Sequence, residues 1–149
     1  MTSNEKSTSA FIHISALCQY FIPFGNFILP LLIWGSKKDS SEFVNQNGKN
    51  VLNFQLSLFL FSFLLALIAI PVLIYLVVNS GTSFEFFNHN HNISFNNFKN
   101  ASGLLVTLFS ALFLFCMLKL SEFIFIIIAA VKASEGETYR YPLTLNFIK

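Results

Sequence analysis

Three long apolar runs alternate with polar segments along this chain. Residues 10–34, 55–78 and 104–131 are apolar and nearly free of charge, while 36–54, 79–103 and 132–149 carry most of the Asn, Lys and Glu. A membrane-spanning helix needs about 20 mainly apolar residues, so each run predicts one span. The expectation is an all-α integral membrane protein with three transmembrane helices in a single domain, 1–149. The first run is too long for a signal-peptide core and lacks a preceding basic cluster, so it is expected to remain in the mature chain.

Within the first run the polar positions are ordered. Pro23 and Pro30 remove backbone donors and free the carbonyls of Gln19 and Asn26, which predicts a Pro-kinked helix. Ser15, Gln19 and Asn26 fall on one helical face, so a polar intramembrane stripe runs along the span. In hydrocarbon these groups need protein or water as partners. Three arrangements satisfy that: a kinked helix with its polar face inside the bundle, a hydrated groove, or a re-entrant hairpin broken at "PFGN". In the third run Lys119 and Glu122 stand three residues apart and form an intramembrane ion pair, either functional or a snorkelling Lys held by its neighbour.

The segment between the first two runs, "SSEFVNQNGKNVLNFQ", is patterned too. Asp39 and Glu42 have the spacing of a capping box, and from there Glu42, Gln46, Lys49 and Asn53 make a polar stripe opposite Val44, Val51 and Phe54. This predicts a cytoplasmic interfacial amphipathic helix over about 40–54, with Gly48 allowing a bend into the second span. At the C-terminus Tyr141, Leu143, Leu145 and Phe147 alternate with Arg140, Pro142, Thr144 and Asn146. Such alternation predicts a short extended tail that docks by its odd-numbered face.

Composition sets the solvent. The 149 residues are 54% hydrophobic and 11% charged, against about 25% charged in an ordinary soluble domain, so lipid is the expected partner. Twenty Phe and a single Arg among abundant Asn, Ile and Ser suggest a bacterial chain. A net charge of +2 with scattered basic residues argues against nucleic acid. With three spans, Lys37, Lys38, Lys49, Lys132, Arg140 and Lys149 share one side and Lys6 and Lys99 the other, six against two. The excess belongs in the cytoplasm, so the inner membrane, N-terminus out and C-terminus in, is expected. No metal, cofactor or catalytic set is legible: Cys18 and Cys116 lie in apolar runs, and His89 and His91 have no supporting ligand. Asn92-Ile93-Ser94 would be a glycosylation acceptor only in a eukaryotic secretory setting. His13 reads as a hydrogen-bonder near the outer interface.

Three blocks resemble a known family: "ALCQYFIPFGNFILPLLIW", "KKDSSEFVNQNGKNVLNFQ" and "IIAAVKASEGETYRYPLT". In order and spacing they are similar to a bacterial family of small membrane proteins catalogued as domain of unknown function four-eight-seven-zero. That family is grouped with the Tic-twenty subunit of the chloroplast inner-envelope import translocon. The resemblance covers roughly residues 10–149 and implies a scaffold or channel-like role linked to protein translocation. The plastid relative has four spans against the three read here, and Lys119, Glu122 and the outer loop are outside the shared pattern. The expected function is a non-enzymatic membrane scaffold or translocation-linked component, working with another membrane protein or as a homo-oligomer. The alternative is a small oligomeric transporter or channel along the Ser15, Gln19 and Asn26 stripe.

Overall fold

Thr2 starts the first helix. Its hydroxyl accepts from the Glu5 N–H at 3.3 Å while the Glu5 carboxylate accepts from the Thr2 N–H at 2.8 Å. This reciprocal capping box satisfies two end donors, so helix α1, Ser3–Ser15, begins well before the apolar run. In the computed structural model, which describes residues 2–79 and 95–148, the first run is not one Pro-kinked helix. A 3-10 segment, Ala16–Tyr20, follows α1, and the chain then turns through Phe24, whose φ is +60°. Helix α2, Gly25–Lys37, runs from there with Pro30 inside it.

The turn has a steric cause. Pro23 cannot continue a helix hydrogen-bond ladder, and the backbone of Gly25 lies so close to the 3-10 segment that a Cβ would sit 2.7 Å from the Cys18 carbonyl oxygen. Helix α2 then packs back on α1. Each of these helices has 13 residues, about 20 Å of rise at 1.5 Å per residue. That is short of the roughly 30 Å hydrocarbon thickness.

Helix α3 is continuous from Glu42 to Asn79, with Pro71 inside it, and α4 runs from Phe95 to Glu135. The stretch 40–54 is therefore not a separate interfacial helix. Its face is not on a membrane surface either: Val44, Val51 and Phe54 are almost wholly buried in protein, and so are Asn47 and Asn53. Glu42 is exposed and Lys49 half-buried. Gly48 serves close approach rather than bending. A Cβ there would run into the Trp34 ring, whereas one on Gly35 would meet nothing within 4 Å. Gly48→Ala should therefore destabilise the protein by about 1–3 kcal/mol through overpacking. Gly35→Ala should stabilise it by about 0.5–1 kcal/mol through helix propensity. Melting of the two variants in detergent checks the pair.

The chain divides into two compact units, Met1–Leu60 with Leu118–Lys149, and Phe61–Met117. The core of the first joins Ile12 and Ala16 to Val44, Val51, Phe54 and Leu58 of α3, Ile126 and Ala129 of α4, and Tyr141 of the tail. Ala129, Ala130 and Ala133 are buried small residues of the kind that let membrane helices approach closely. Among the described residues the second unit consists of the C-terminal half of α3 and the N-terminal half of α4, with Phe63, Leu67, Ile74, Phe109 and Phe113 exposed. Its Thr107 and Ser110 hydroxyls return to carbonyls of their own helix. Two segments, Glu42–Tyr75 and Leu105–Glu135, are long and apolar enough to cross a membrane, and only 6% and 11% of their most apolar windows are buried. Helices of a soluble core would be mostly buried, so these apolar surfaces require lipid or protein around them. The His89, His91 and Asn92-Ile93-Ser94 positions lie outside the described residues.

Candidate functional site

Polar side chains inside the first unit are gathered into sets, although the buried Gln55 Nε2 has no hydrogen-bond partner. One of them joins α4 to the 3-10 segment. Lys119 Nζ pairs with Glu122 Oε2 at 2.8 Å, Gln19 Nε2 donates to Glu122 Oε1 at 2.7 Å, and Lys119 Nζ donates to Gln19 Oε1 at 3.2 Å. Glu122 is 1% exposed and Lys119 35%. The ion pair read from the spacing is thus three-membered. Gln19 supplies both a donor and an acceptor, so no oxygen of the buried carboxylate lacks a partner. Beyond the turn, Asn26 Nδ2 donates to Gln55 Oε1 at 2.8 Å. Ser15 returns to the Ile12 carbonyl of its own helix. Ser15, Gln19 and Asn26 therefore do not form a stripe on one helix, because the chain turns between the last two.

A second set ties the two ends of the chain together. His13 on α1 is fully buried, with Nε2 3.0 Å from Asn47 Oδ1 and Nδ1 2.7 Å from the Tyr141 hydroxyl. Asn47 donates its Nδ2 to the Phe43 carbonyl, which leaves its oxygen as acceptor. His13 therefore donates from Nε2 and accepts the Tyr141 O–H at Nδ1, the neutral tautomer. The Tyr141 ring stacks on Phe54 at 4.1 Å between centroids. Burial holds His13, which lies outside the two long helices, down to about 4, and pushes the Tyr141 hydroxyl well up.

The sign follows directly. A histidine whose folded value lies below its unfolded one of about 6.5 stabilises the fold fully above that value and loses the contribution as pH falls toward 4. The melting temperature should fall between pH 7 and pH 4.5, and a His13→Gln variant should flatten that slope.

The third set holds the tail, 136–148, which is neither helix nor strand. Asn50 Nδ2 donates to the Tyr139 carbonyl, and Ser57 Oγ accepts from the Leu145 N–H. Asn53 Oδ1 accepts from the Phe147 and Ile148 N–H groups, and its Nδ2 donates to the Ile148 carbonyl. The tail is thus bound by its backbone. Of the four odd-numbered side chains, Tyr141 alone is buried; Leu143, Leu145 and Phe147 are 76%, 45% and 51% exposed. Docking by the odd-numbered face is corrected accordingly. Asn50, Asn53 and Ser57 carry the contacts, and with Asn47, which bonds His13, their spacing of three, three and four residues marks one face of α3. The sequence reading passed over that face in favour of Glu42, Gln46, Lys49 and Asn53.

Both cysteines are free, and among the described residues no three His, Cys, Asp or Glu side chains are grouped to hold a metal ion. At the end of α4, Lys6 Nζ donates to the Glu135 carbonyl at 3.0 Å, and Lys132 pairs with Glu137 at 2.9 Å on the exposed surface.

No curated protein and no solved structure matches the chain. A family model does, over residues 4–148, nearly its whole length. That match overturns the resemblance to the unknown-function family and its Tic-twenty relative, and with it the link to protein translocation. The blocks that carried the resemblance lie in the 3-10 segment, turn and α2, the start of α3, and the end of α4 with the first part of the tail. The chain is a small, membrane-associated protein, and it belongs to the magnetosome magnetite crystal formation protein family.

Proposed function

We propose that this protein is a structural scaffold of a bacterial membrane, built from two spans, α3 and α4, and a hairpin, α1–α2, that enters and leaves from one side. Both termini then lie on the cytoplasmic side. The observation that carries this reading is the Lys6 to Glu135 hydrogen bond at 3.0 Å, with His13 bonded to Tyr141 behind it. A chain with its termini on opposite faces could make neither contact. The basic residues agree with the change of topology: Lys6, Lys37, Lys38, Lys49, Lys132, Arg140 and Lys149 fall on one side and Lys99 on the other, seven against one.

The family's description names magnetite crystal formation. The part in that process suited to such a chain is organisation of the membrane around the mineral. Support comes from the polar side chains, which bind one another across helices while large apolar surfaces face outward. A transporter reading has less support, because Gln19 is engaged with Glu122 and Lys119, and Asn26 with Gln55. Crosslinking in native membranes followed by native mass analysis tests the scaffold reading. A stable homo- or hetero-complex is expected. A monomer in the membrane, or ion flux through liposomes holding the purified protein, would count against it.

A further inference from the structure

We infer that the C-terminal tail is a lipid-inserted segment, its backbone held by α3 and its apolar side chains set among the acyl chains of the cytoplasmic leaflet. The inference rests on the reading of α3 as a span. A non-helical backbone is excluded from hydrocarbon unless protein satisfies its polar groups. Here Ser57, Asn53 and Asn50 do that for Leu145, Phe147, Ile148 and Tyr139. These are polar residues at the head of an apolar helix, and their work is done on the tail's main chain.

The side chains point the other way. Leu143, Leu145 and Phe147 are exposed although the segment around them is fixed. From Tyr141 to Ile148 the sequence has no charge, and Arg140 and Lys149 bracket it, the pattern of an interfacial anchor. Contacts run from Asn50 to Ser57, seven residues of helix, about 10 Å at 1.5 Å per residue. That matches the roughly 5–10 Å to which interfacial elements sink at the headgroup boundary.

Leu143 adds an independent observation. Tyr141-Pro142-Leu143-Thr144 forms a turn with Pro142 in the first central place and Leu143, at φ +58°, in the second. That place is usually taken by Gly, since a positive φ strains residues bearing a Cβ. Leucine at a strained and 76% exposed turn position has no role in water. In lipid it places a four-carbon side chain among the acyl chains.

The test uses the full chain in phosphatidylcholine–phosphatidylglycerol vesicles, with Cys18→Ala and Cys116→Ala and one new cysteine carrying a nitrobenzoxadiazole fluorophore. The cysteine replaces Leu143, Phe147 or, on the exposed apolar face of α3, Leu67. Labels at 143 and 147 should emit at short wavelength and be quenched several-fold more by lipids spin-labelled near the top of the acyl chain than by aqueous cobalt. Quenching by aqueous cobalt at both positions, with lipid quenching kept at 67, would overturn the tail assignment and leave the span intact. Protection from both quenchers at 143 and 147 would mean that protein, such as a second copy, covers the strip, and it overturns the assignment equally. Loss of lipid quenching at 67 would remove the span and the tail assignment together.

Discussion

Glu122→Leu should lower the stability of the protein by about 3 kcal/mol, the low end of the 3–5 kcal/mol range for breaking a buried ion pair. The low end applies because Lys119 is one-third exposed and keeps some access to its surroundings. What is lost is the partner of two groups at once: the Lys119 ammonium, and Gln19 Nε2, which has no other acceptor in the set. Removing the charge from both ends should be much milder. Glu122→Leu with Lys119→Met leaves no uncompensated ion, and replacing a buried pair by apolar residues of similar volume is often neutral. Thermal unfolding in one detergent, for wild type, both single variants and the double, measures the coupling. Additive losses would mean that the three-membered set does not act as a unit.

Tyr141→Ala should be comparably damaging, about 3–5 kcal/mol on the scale of buried aromatic truncation. The ring is stacked on Phe54 and closed in by Tyr139, and the hydroxyl is the donor to His13 Nδ1. Tyr141→Phe keeps the ring and removes the donor, which leaves a buried acceptor unsatisfied at about 1–2 kcal/mol. Protease sensitivity next to Arg140 reports release of the tail. It should rise strongly for Tyr141→Ala, modestly for Tyr141→Phe, and in detergent scarcely for Leu145→Ser, because Leu145 docks by its N–H rather than its side chain. Docking by an odd-numbered apolar face would instead make Leu145→Ser and Tyr141→Ala alike.

Hydrophobic length was legible in the sequence, and so were the two long helices and the meeting of Lys119 with Glu122. The first run misled because length alone does not separate one span from two half-length helices. Pro23, Phe24 and Gly25 decide that through backbone contacts across the turn, and a Cβ at Gly25 meeting the Cys18 carbonyl is a tertiary fact. Thr2 and Glu5 carried the same spacing as the Asp39 and Glu42 pair that drew attention, and theirs is the spacing that forms a box. Reading it would have started α1 ahead of the apolar run. In the tail, alternation was a poor guide because α3 satisfies the backbone with amide and hydroxyl side chains, which leave no trace in the tail's own sequence. Asn50, Asn53 and Ser57 were legible as polar positions on one face, and their partner about 90 residues on was not.

Single cysteines at Ser3 and, separately, at Ser134, in a background with Cys18 and Cys116 replaced by Ala, test the two-span arrangement most directly. An impermeant maleimide is applied to intact cells and to inside-out vesicles. With α1–α2 as a hairpin and both termini in the cytoplasm, neither position should label in cells and both should label in inverted vesicles. Labelling at position 3 from outside the cell, with 134 protected, would restore a fully spanning first run and contradict the arrangement in which Lys6 meets Glu135.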